Sequence, residues 1–336
     1  MGFNVAAEAY DRFMGRYSRL LSPHLADLAG VRGGQRVIDV GCGPGALTAE
    51  LVRRLGPASV AAVDPSAPFV AAARARQPGV EIREALAEQL PFPNDSFDAA
   101  IAQLVVHFMS DPVAGLAEMA RVTRRDGVVA ACVWDMGGEH GPLNLFWRAA
   151  RELDPDVEGE TLRAGTRERH LAQLFEAAGL REVDDTALSV SREHSSFEEW
   201  WEPFTLGVGP AGTYVAGLDP ERVIELRERA RSLLPAAPFV LTARAWAARG
   251  LARINDRRRV RLLGRHDRGA AEPDHEVAGG IPIRFSPRES KRQYRRCPSP
   301  GCPAAERGDE PPIVVNSLGV IFRHEWAPEA DLALWR

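Results

Sequence analysis

The chain has 336 residues, 45% of them hydrophobic, and a formal net charge of −4. That length holds one large domain with an addition, or two domains, and the apolar share can fill a sizeable core. The slight negative balance gives no electrostatic reason to expect nucleic acid or an anionic membrane as the main partner. The four cysteines, Cys42, Cys132, Cys297 and Cys302, make no disulfide framework, which favours a reducing cytosol.

Residues 1 to 30 read as helix, with apolar residues at turn spacing up to Leu28 and a stop at Gly30. Glu8 and Asp11 interrupt the start, so it does not read as a signal peptide. No apolar run approaches the roughly 20 residues that span a bilayer, and a soluble cytoplasmic protein is expected. Next come a short buried strand in "QRVIDVG" and a helix in "ALTAELVRRLG" that Gly56 and Pro57 end. "SVAAVDPS" is a second buried strand closing on an acid, "APFVAAARARQ" a helix, and "VEIREA" a third strand. "FDAAIAQLVVHF" holds a fourth apolar run. "DPVAGLAEMARVT" is an amphipathic helix with Asp111 as cap and Pro112 at its first position, and "GVVAACVWD" is a fifth strand.

Strands that are continuously apolar and alternate with helices belong in a parallel sheet covered on both faces. Right-handed crossovers make that sheet doubly wound, and its ligands bind beyond the carboxyl ends of the strands, near the switch point. After residue 135 the pattern changes. Helices are expected over 140 to 180, around a polar loop from Asp154 to Gly165. "LREVDDTALSVSREH" and "PFVLTARAWAARG" read as an antiparallel pair that extends the sheet. The aromatic-rich and then helical stretch between them, 192 to 237, reads as a lid. Residues 251 to 336, rich in Arg, Pro and Gly, read as a largely disordered extension in which "IVVNSLGVIF" is one strand or a hairpin.

The stretch "DVGCGPGA" carries the chemistry. Gly41 and Gly43 permit a positive φ and a close backbone approach, and the loop opens a helix whose free N–H groups favour an anion or a polar ligand group. Asp64, about 20 residues on at the end of the next strand, is placed for ribose hydroxyls. The pair indicates an adenosine-containing ligand. "GCGPGA" formally satisfies the dinucleotide fingerprint, which alone is a weak signal. Asp39, just before the loop, would repel a pyrophosphate and suits a cationic ligand.

Residues 37 to 135 resemble class I S-adenosylmethionine-dependent methyltransferases, of the group that includes quinone-biosynthesis C-methyltransferases. "VIDVGCGPG", "VAAVDPS", "AEQLPFPNDSFDAAIAQLVVHF" and "MARVTRRDGVVAACVWD" are similar to four motifs of that family in order, and "AEAYDRFMGRYSRLL" resembles its cofactor-covering N-terminal helix. The resemblance covers residues 5 to 135 and extends to about 250. It implies an α/β fold: a doubly wound, Rossmann-like, seven-stranded sheet, mostly parallel with an antiparallel last strand and helices on both faces. It implies a methyltransferase domain over 1 to 250, with 1 to 30 as cap helix, and S-adenosylmethionine as cofactor. Asp39 and the backbone at Gly41, Cys42 and Gly43 would hold the methionine part, and Asp64 the ribose. Pro65 and the backbone of Ala87 would flank the adenine, and Gln103 would lie beside the methionine part. Tyr10 and Arg16 would cover the cofactor, with Arg16 as a partner for its carboxylate. Leu86 stands where many relatives have an acid for the adenine amino group, which passes that contact to backbone or to Glu88. "TRRDG" replaces the family's usual Arg-Pro-Gly-Gly turn.

Methyl transfer from a sulfonium has a good neutral leaving group and needs mainly proximity and orientation, so no catalytic triad is expected. His107, His140 and Tyr10 are the candidates for a base. Each has a plainer reading: His107 as a core histidine, His140 as a loop residue, Tyr10 as helix packing. Trp200, Trp201 and Phe204 are core or lid packing first and walls of an apolar substrate pocket second. Cys297 and Cys302 lack a second ligand pair, so no metal is expected, and "RRRVR" at 257 to 261 reads as solvated chain. The partner expected is a small-molecule acceptor of hydrophobic character. Two rivals stand beside this reading: an NAD(P)-dependent oxidoreductase, and a module that binds S-adenosylmethionine without turnover.

Overall fold

A computed structural model describes residues 7–138, 140–252, 314–315 and 321–322. The chain opens with α1 (Ala7–Tyr10), a π-helical turn (Asp11–Gly15) and α2 (Arg16–Leu28). Then follow β1 (Val37–Val40), α3 (Ala46–Leu55), β2 (Val60–Asp64), α4 (Ala67–Arg76), β3 (Glu81–Glu84) and β4 (Phe97–Gln103). After these come α5 (Pro112–Val122), β5 (Thr123–Trp134), α6 (Asn144–Leu153), α7 (His170–Ala177) and β6 (Arg181–His194). The helices α8 (Phe197–Trp201), α9 (Gly209–Ala216) and α10 (Pro220–Leu233) precede β7 (Phe239–Leu251).

The seven strands form one sheet in the order β3-β2-β1-β4-β5-β7-β6. Neighbours from β3 to β5 are parallel, and β7 runs antiparallel to both β5 and β6. The expected doubly wound sheet with a reversed last strand is what the chain builds. Alternate residues of each central strand feed two cores. Val37, Ala99, Ile101, Ala130 and Cys132 pack with α2, α3, α6 and the helices after residue 196. Ile38, Val40, Ala61, Val63 and Ala100 pack with α5 and α7 on the other face. That is why these strands are apolar on both faces, with their few polar residues, Asp39, Asp64, Asp98 and Gln103, mostly at or near strand ends.

Local signals hold in detail. Asp111 caps α5 by accepting from Ala114 N at 3.0 Å. In "TRRDG", Asp126 takes a left-handed φ of +59°, and the β4–β5 register shifts between Phe97 and Ala99. A Cβ on Gly127 would lie 2.6 Å from the Asp98 carbonyl, so the substitute turn still keeps its glycine. The disordered reading of 251 to 336, the stretch "RRRVR" and the pair Cys297 and Cys302 lie outside the described residues, apart from Leu251, Ala252 and two short strands. Those are β8 (Val314–Val315) and β9 (Ile321–Phe322), which pair antiparallel and so favour the hairpin reading. Among the described residues, no helix is long and apolar enough to cross a membrane.

The aromatics of α8 and the turn after it are core. Trp200 is fully buried, and Phe204 stacks on Phe146 at 4.5 Å and meets Phe13 edge-on at 5.5 Å. Arg16 fixes this layer to the N-terminal helix. Its Nε donates to Phe13 O at 3.1 Å, Nη1 to Glu199 O at 3.0 Å and Nη2 to Trp200 O at 3.4 Å. The sequence reading that paired Arg16 with a cofactor carboxylate is therefore corrected. Its donors are spent on backbone carbonyls inside the helical layer. Arg16→Met should lower stability by about 1–3 kcal/mol, read from the shift of the urea midpoint, because it strands buried carbonyls.

Candidate functional site

The sheet reverses its winding between β1 and β4, and the loops that follow these two strands face each other across the crevice. The glycine loop after β1 is pinned to the end of β2. Gly41 N and Cys42 N both donate to Val63 O, at 2.8 and 2.9 Å. Gly43 N donates to Asp64 Oδ2 at 2.8 Å, while Asp64 Oδ1 accepts from Ser66 N at 2.8 Å. Gly41 has φ +74°, and a Cβ there would sit 2.4 Å from a Val105 methyl on the loop after β4. Only glycine lets the two loops approach this closely. Gly43 has φ +53° with open space around it.

A cavity of about 370 Å³ lies over these loops, lined among others by Tyr10, Gly41, Gly43, Asp64, Pro65 and Gln103. Six of the residues expected at the site are thus brought together. The remaining wall comes from Ser66 to Phe69 at the start of α4, from Glu84, and from Leu104, Val105 and Phe108. Tyr10 roofs the cavity, its ring edge-on to Phe69 at 5.3 Å. Leu104 holds a left-handed φ of +62°, backbone strain stored at the cavity's rim. Among the described residues, the lining holds two carboxylates, Asp64 and Glu84, and no lysine, arginine or histidine.

Two acceptors at the ends of the central strands have no partner. Gln103 donates through Nε2 to Ser18 O at 3.1 Å, and its Oε1 is buried and unpaired. Asp39 does not line the cavity. It is 1% exposed, its Oδ2 accepts from Thr48 Oγ1 at 2.6 Å, and its Oδ1 is unpaired. The expectation that its carboxylate faces the ligand is corrected: it turns toward the first turn of α3. Burial pushes its pKa up to about 7, and the nearby charge of Asp64 adds to the rise against the Thr48 hydrogen bond. Burial also raises Asp64, opposed by the N–H groups of Ser66 and Gly43.

Other expectations move as well. The Cys42 side chain points away from the cavity into a small core of Ala62, Val70, Ala73 and Ile82, so only its backbone belongs to the loop. Ala87 lines a smaller adjoining cleft of about 80 Å³ with Leu86 and Glu88, which shares Gly41, Pro65, Val105 and Phe108 with the main cavity. Glu88 Oε1 accepts from Ser110 N at 2.7 Å and Asp111 N at 3.2 Å. Leu86 is exposed.

Of the three candidate bases, Tyr10 stays at the main cavity, but burial pushes its hydroxyl up to about 12, which keeps it neutral. His140 lies elsewhere, exposed, with Nδ1 3.0 Å from Arg244 Nη2 and 3.4 Å from Asp135 Oδ2. His107 lines a second cavity of about 40 Å³ that shares Tyr10, Leu104 and Phe108 with the first. Burial, and then the charge of Arg163, lower His107 to about 3, so its ring is neutral. Sequence reading missed Glu84, Phe69, Leu104, Phe108 and Glu160. Glu84 had a signal: it ends the third strand as Asp64 ends the second, and the two are paired across the sheet. Glu160 sits in a polar loop and gave none.

Residues 38–131 match the model of a methyltransferase domain. The chain is 40% identical over 115 residues to 2-methyl-6-phytyl-1,4-hydroquinone methyltransferase 2, chloroplastic, of Oryza sativa subsp. japonica, covering 33% of this chain and 31% of that protein. It is 36% identical over 146 residues to malonyl-[acyl-carrier protein] O-methyltransferase of Erwinia billingiae, covering 44% and 57%. The chain thus spans between about a third and just over half of the length of these two relatives. An uncharacterised Mycobacterium bovis protein is 32% identical over 194 residues, covering 54% of this chain and 70% of that one. The solved structure of the YcgJ protein of Bacillus subtilis is similar at 20% identity and a TM-score of 0.47, over 71% of this chain and 99% of that one. With the matched domain, a relative aligned over most of its length and the strand order of the sheet, the chain belongs to the class I S-adenosylmethionine-dependent methyltransferase family.

Proposed function

We propose that the protein binds S-adenosylmethionine in the larger cavity and transfers its methyl group to a small, largely apolar acceptor in the cytoplasm. The observation that carries this reading is the lining itself. Two carboxylates and two unpaired buried acceptors lie at or just behind it, with no cationic side chain on it among the described residues. A pyrophosphate would meet Asp64 and Glu84 with nothing to balance it, whereas an ammonium or a sulfonium is favoured there. The net charge of −4 supports a small molecule over nucleic acid as acceptor.

In this reading residues 1–250 are the transferase domain, 192–237 its lid and 251–336 an extension. Asp64 keeps a free lone pair on each oxygen for ribose hydroxyls while it holds the glycine loop. Pro65 and the backbone of Ala87 flank the adenine. Gln103 Oε1 accepts from the amino group, Tyr10 covers the ligand, and Asp39 acts through its field from behind the loop. Bound there, S-adenosylmethionine supplies an electrophilic methyl on a good leaving group, and the protein's task is to align an acceptor with it. The apolar walls shared by the two cavities, Leu104 and Phe108, favour an acceptor with an apolar body.

Calorimetric titration with S-adenosylmethionine, S-adenosylhomocysteine and NADH tests the cofactor. The first two should bind with micromolar affinity, on the order of 8 kcal/mol, and NADH should not. Asp64→Ala should weaken them by about tenfold or more, about 1.4 kcal/mol, with its melting curve checked for retained fold. Binding of NADH alone would sink the proposal.

The raised Asp39 gives a pH dependence. A bound cation favours the ionised carboxylate, so the pKa of about 7 falls on binding. Below that value binding must expel a proton, and affinity declines as pH falls. S-adenosylmethionine should bind roughly tenfold more weakly at about pH 5.5 than at about pH 7.5. Asp39→Asn should flatten that profile, and an unchanged slope in the variant would remove Asp39 from the account.

A further inference from the structure

The second cavity holds polar groups that the cofactor reading leaves unused. Its walls are mainly apolar, with Phe13 and Met14 from the π-helical turn and Trp134 and Met136 at the end of β5. Besides Tyr10 and the Trp134 indole, His107 and Glu160 break that surface. His107 is 9% exposed, and its Nδ1 is buried without a hydrogen-bond partner. Glu160 is 3% exposed; its Oε2 accepts from Trp147 Nε1 at 3.1 Å, and Arg163 Nε lies 3.8 Å from Oε1. At the same wall Trp134 Nε1 donates to Met14 Sδ at 3.1 Å.

An unpaired buried acceptor carries a standing desolvation cost, which a ligand donor removes. A neutral imidazole can present a lone pair, and a carboxylate offers only acceptors. The unpaired His107 Nδ1 and the spare lone pairs of a Glu160 carboxylate engaged by Trp147 and Arg163, set in an apolar wall, select a ligand that is apolar with one O–H. An ammonium is disfavoured, because the cavity is narrow and its one carboxylate is already engaged by Trp147 and by the Arg163 guanidinium. We propose that this cavity receives the reacting end of the methyl acceptor, and that Glu160 and His107 select an acceptor whose apolar frame carries a hydroxyl group. This rests on the methyltransferase reading and goes further by assigning the acceptor's class and the two residues that recognise it. Tyr10, Leu104 and Phe108 line both cavities, so a hydroxyl held here lies next to the cofactor space. Burial also raises the Glu160 carboxyl, which suits a group that shares a proton with a bound hydroxyl.

The plainer role for Glu160 is to anchor Trp147. The two roles separate in a ligand that differs only at the donor. Phenol and toluene have nearly the same size and shape. Titrating each into the full chain, with and without saturating S-adenosylhomocysteine, and following the indole N–H resonances of Trp134 and Trp147 reads occupancy of the cavity directly. Phenol should bind about tenfold or more tightly than toluene. Glu160→Gln keeps an acceptor for Trp147 and should cut that preference to below about threefold, and His107→Phe, a second and independent variant, should do the same. Affinity for S-adenosylhomocysteine should stay within about threefold in both. Equal binding of phenol and toluene, no binding of phenol, or a preference that survives both variants would overturn the proposal. A chain that ignores S-adenosylhomocysteine would instead sink the cofactor reading, while the phenol and toluene comparison could still be read without it.

Discussion

The carboxylate of Asp64 ties three segments together at one point. One oxygen holds Gly43, in the loop that follows β1, and the other holds Ser66, at the entry to α4. Gly41 and Cys42 donate to the carbonyl just before it. The glycine loop therefore cannot move without breaking bonds to β2, and the cavity floor is set before any ligand arrives. The cost is a carboxylate buried beside a second one, Asp39, in a region where neither has a cationic partner among the described residues. The fold tolerates this because every oxygen but one of the pair is hydrogen-bonded, and the exception is Asp39 Oδ1. A ligand with positive charge relieves the arrangement, and one with phosphates aggravates it.

Much of this was legible in the residues. A sheet buried on both faces needs strands that are apolar nearly throughout, and "VIDV", "VAAV" and "AAIA" hold one polar residue among them, Asp39. Three glycines between such a strand and a helix, with an acid at the end of the next strand, define a loop, a helix start and a carboxylate at adjacent strand ends. Sequence spacing is enough for that, because parallel neighbours in register bring their carboxyl ends together. The antiparallel pair was legible from its alternation, since an edge strand packs on one face at a time.

What spacing could not reveal was direction. Asp39 and Cys42 sit at the right height in the sheet, yet one turns to Thr48 and the other into the core under α4. The difference is a matter of side-chain torsion and of which helix lies beneath. Arg16 is a sharper case. An arginine on a helix near a binding loop invites an anion, but a guanidinium in an interior layer is drawn to whichever carbonyls are free there, three of them in this case. The last turn of a short helix, α8, leaves such carbonyls at Glu199 and Trp200. Glu160 was invisible for the opposite reason, since a loop of polar composition reads as solvent-exposed until the fold closes over it.

The two cavities differ in where their walls come from. The larger is made almost wholly from loops at the ends of the parallel strands, whose geometry the sheet enforces. The smaller draws on the π-helical turn, on Leu143 and Glu160 beyond β5, and on the start of α9 at Gly209 and Pro210. None of those segments carries a strand of the sheet's parallel half. Among the described residues, the π-helical turn alone of these reaches the glycine loop: Asp11 pairs with Arg76 at 2.8 Å, and Arg76 Nη1 donates to Pro44 O at 3.2 Å. On the proposed reading, a lineage built on this architecture can exchange one acceptor for another while keeping Asp11 and the cofactor loops, and Tyr10, Leu104 and Phe108 are the positions among the described residues that line both cavities.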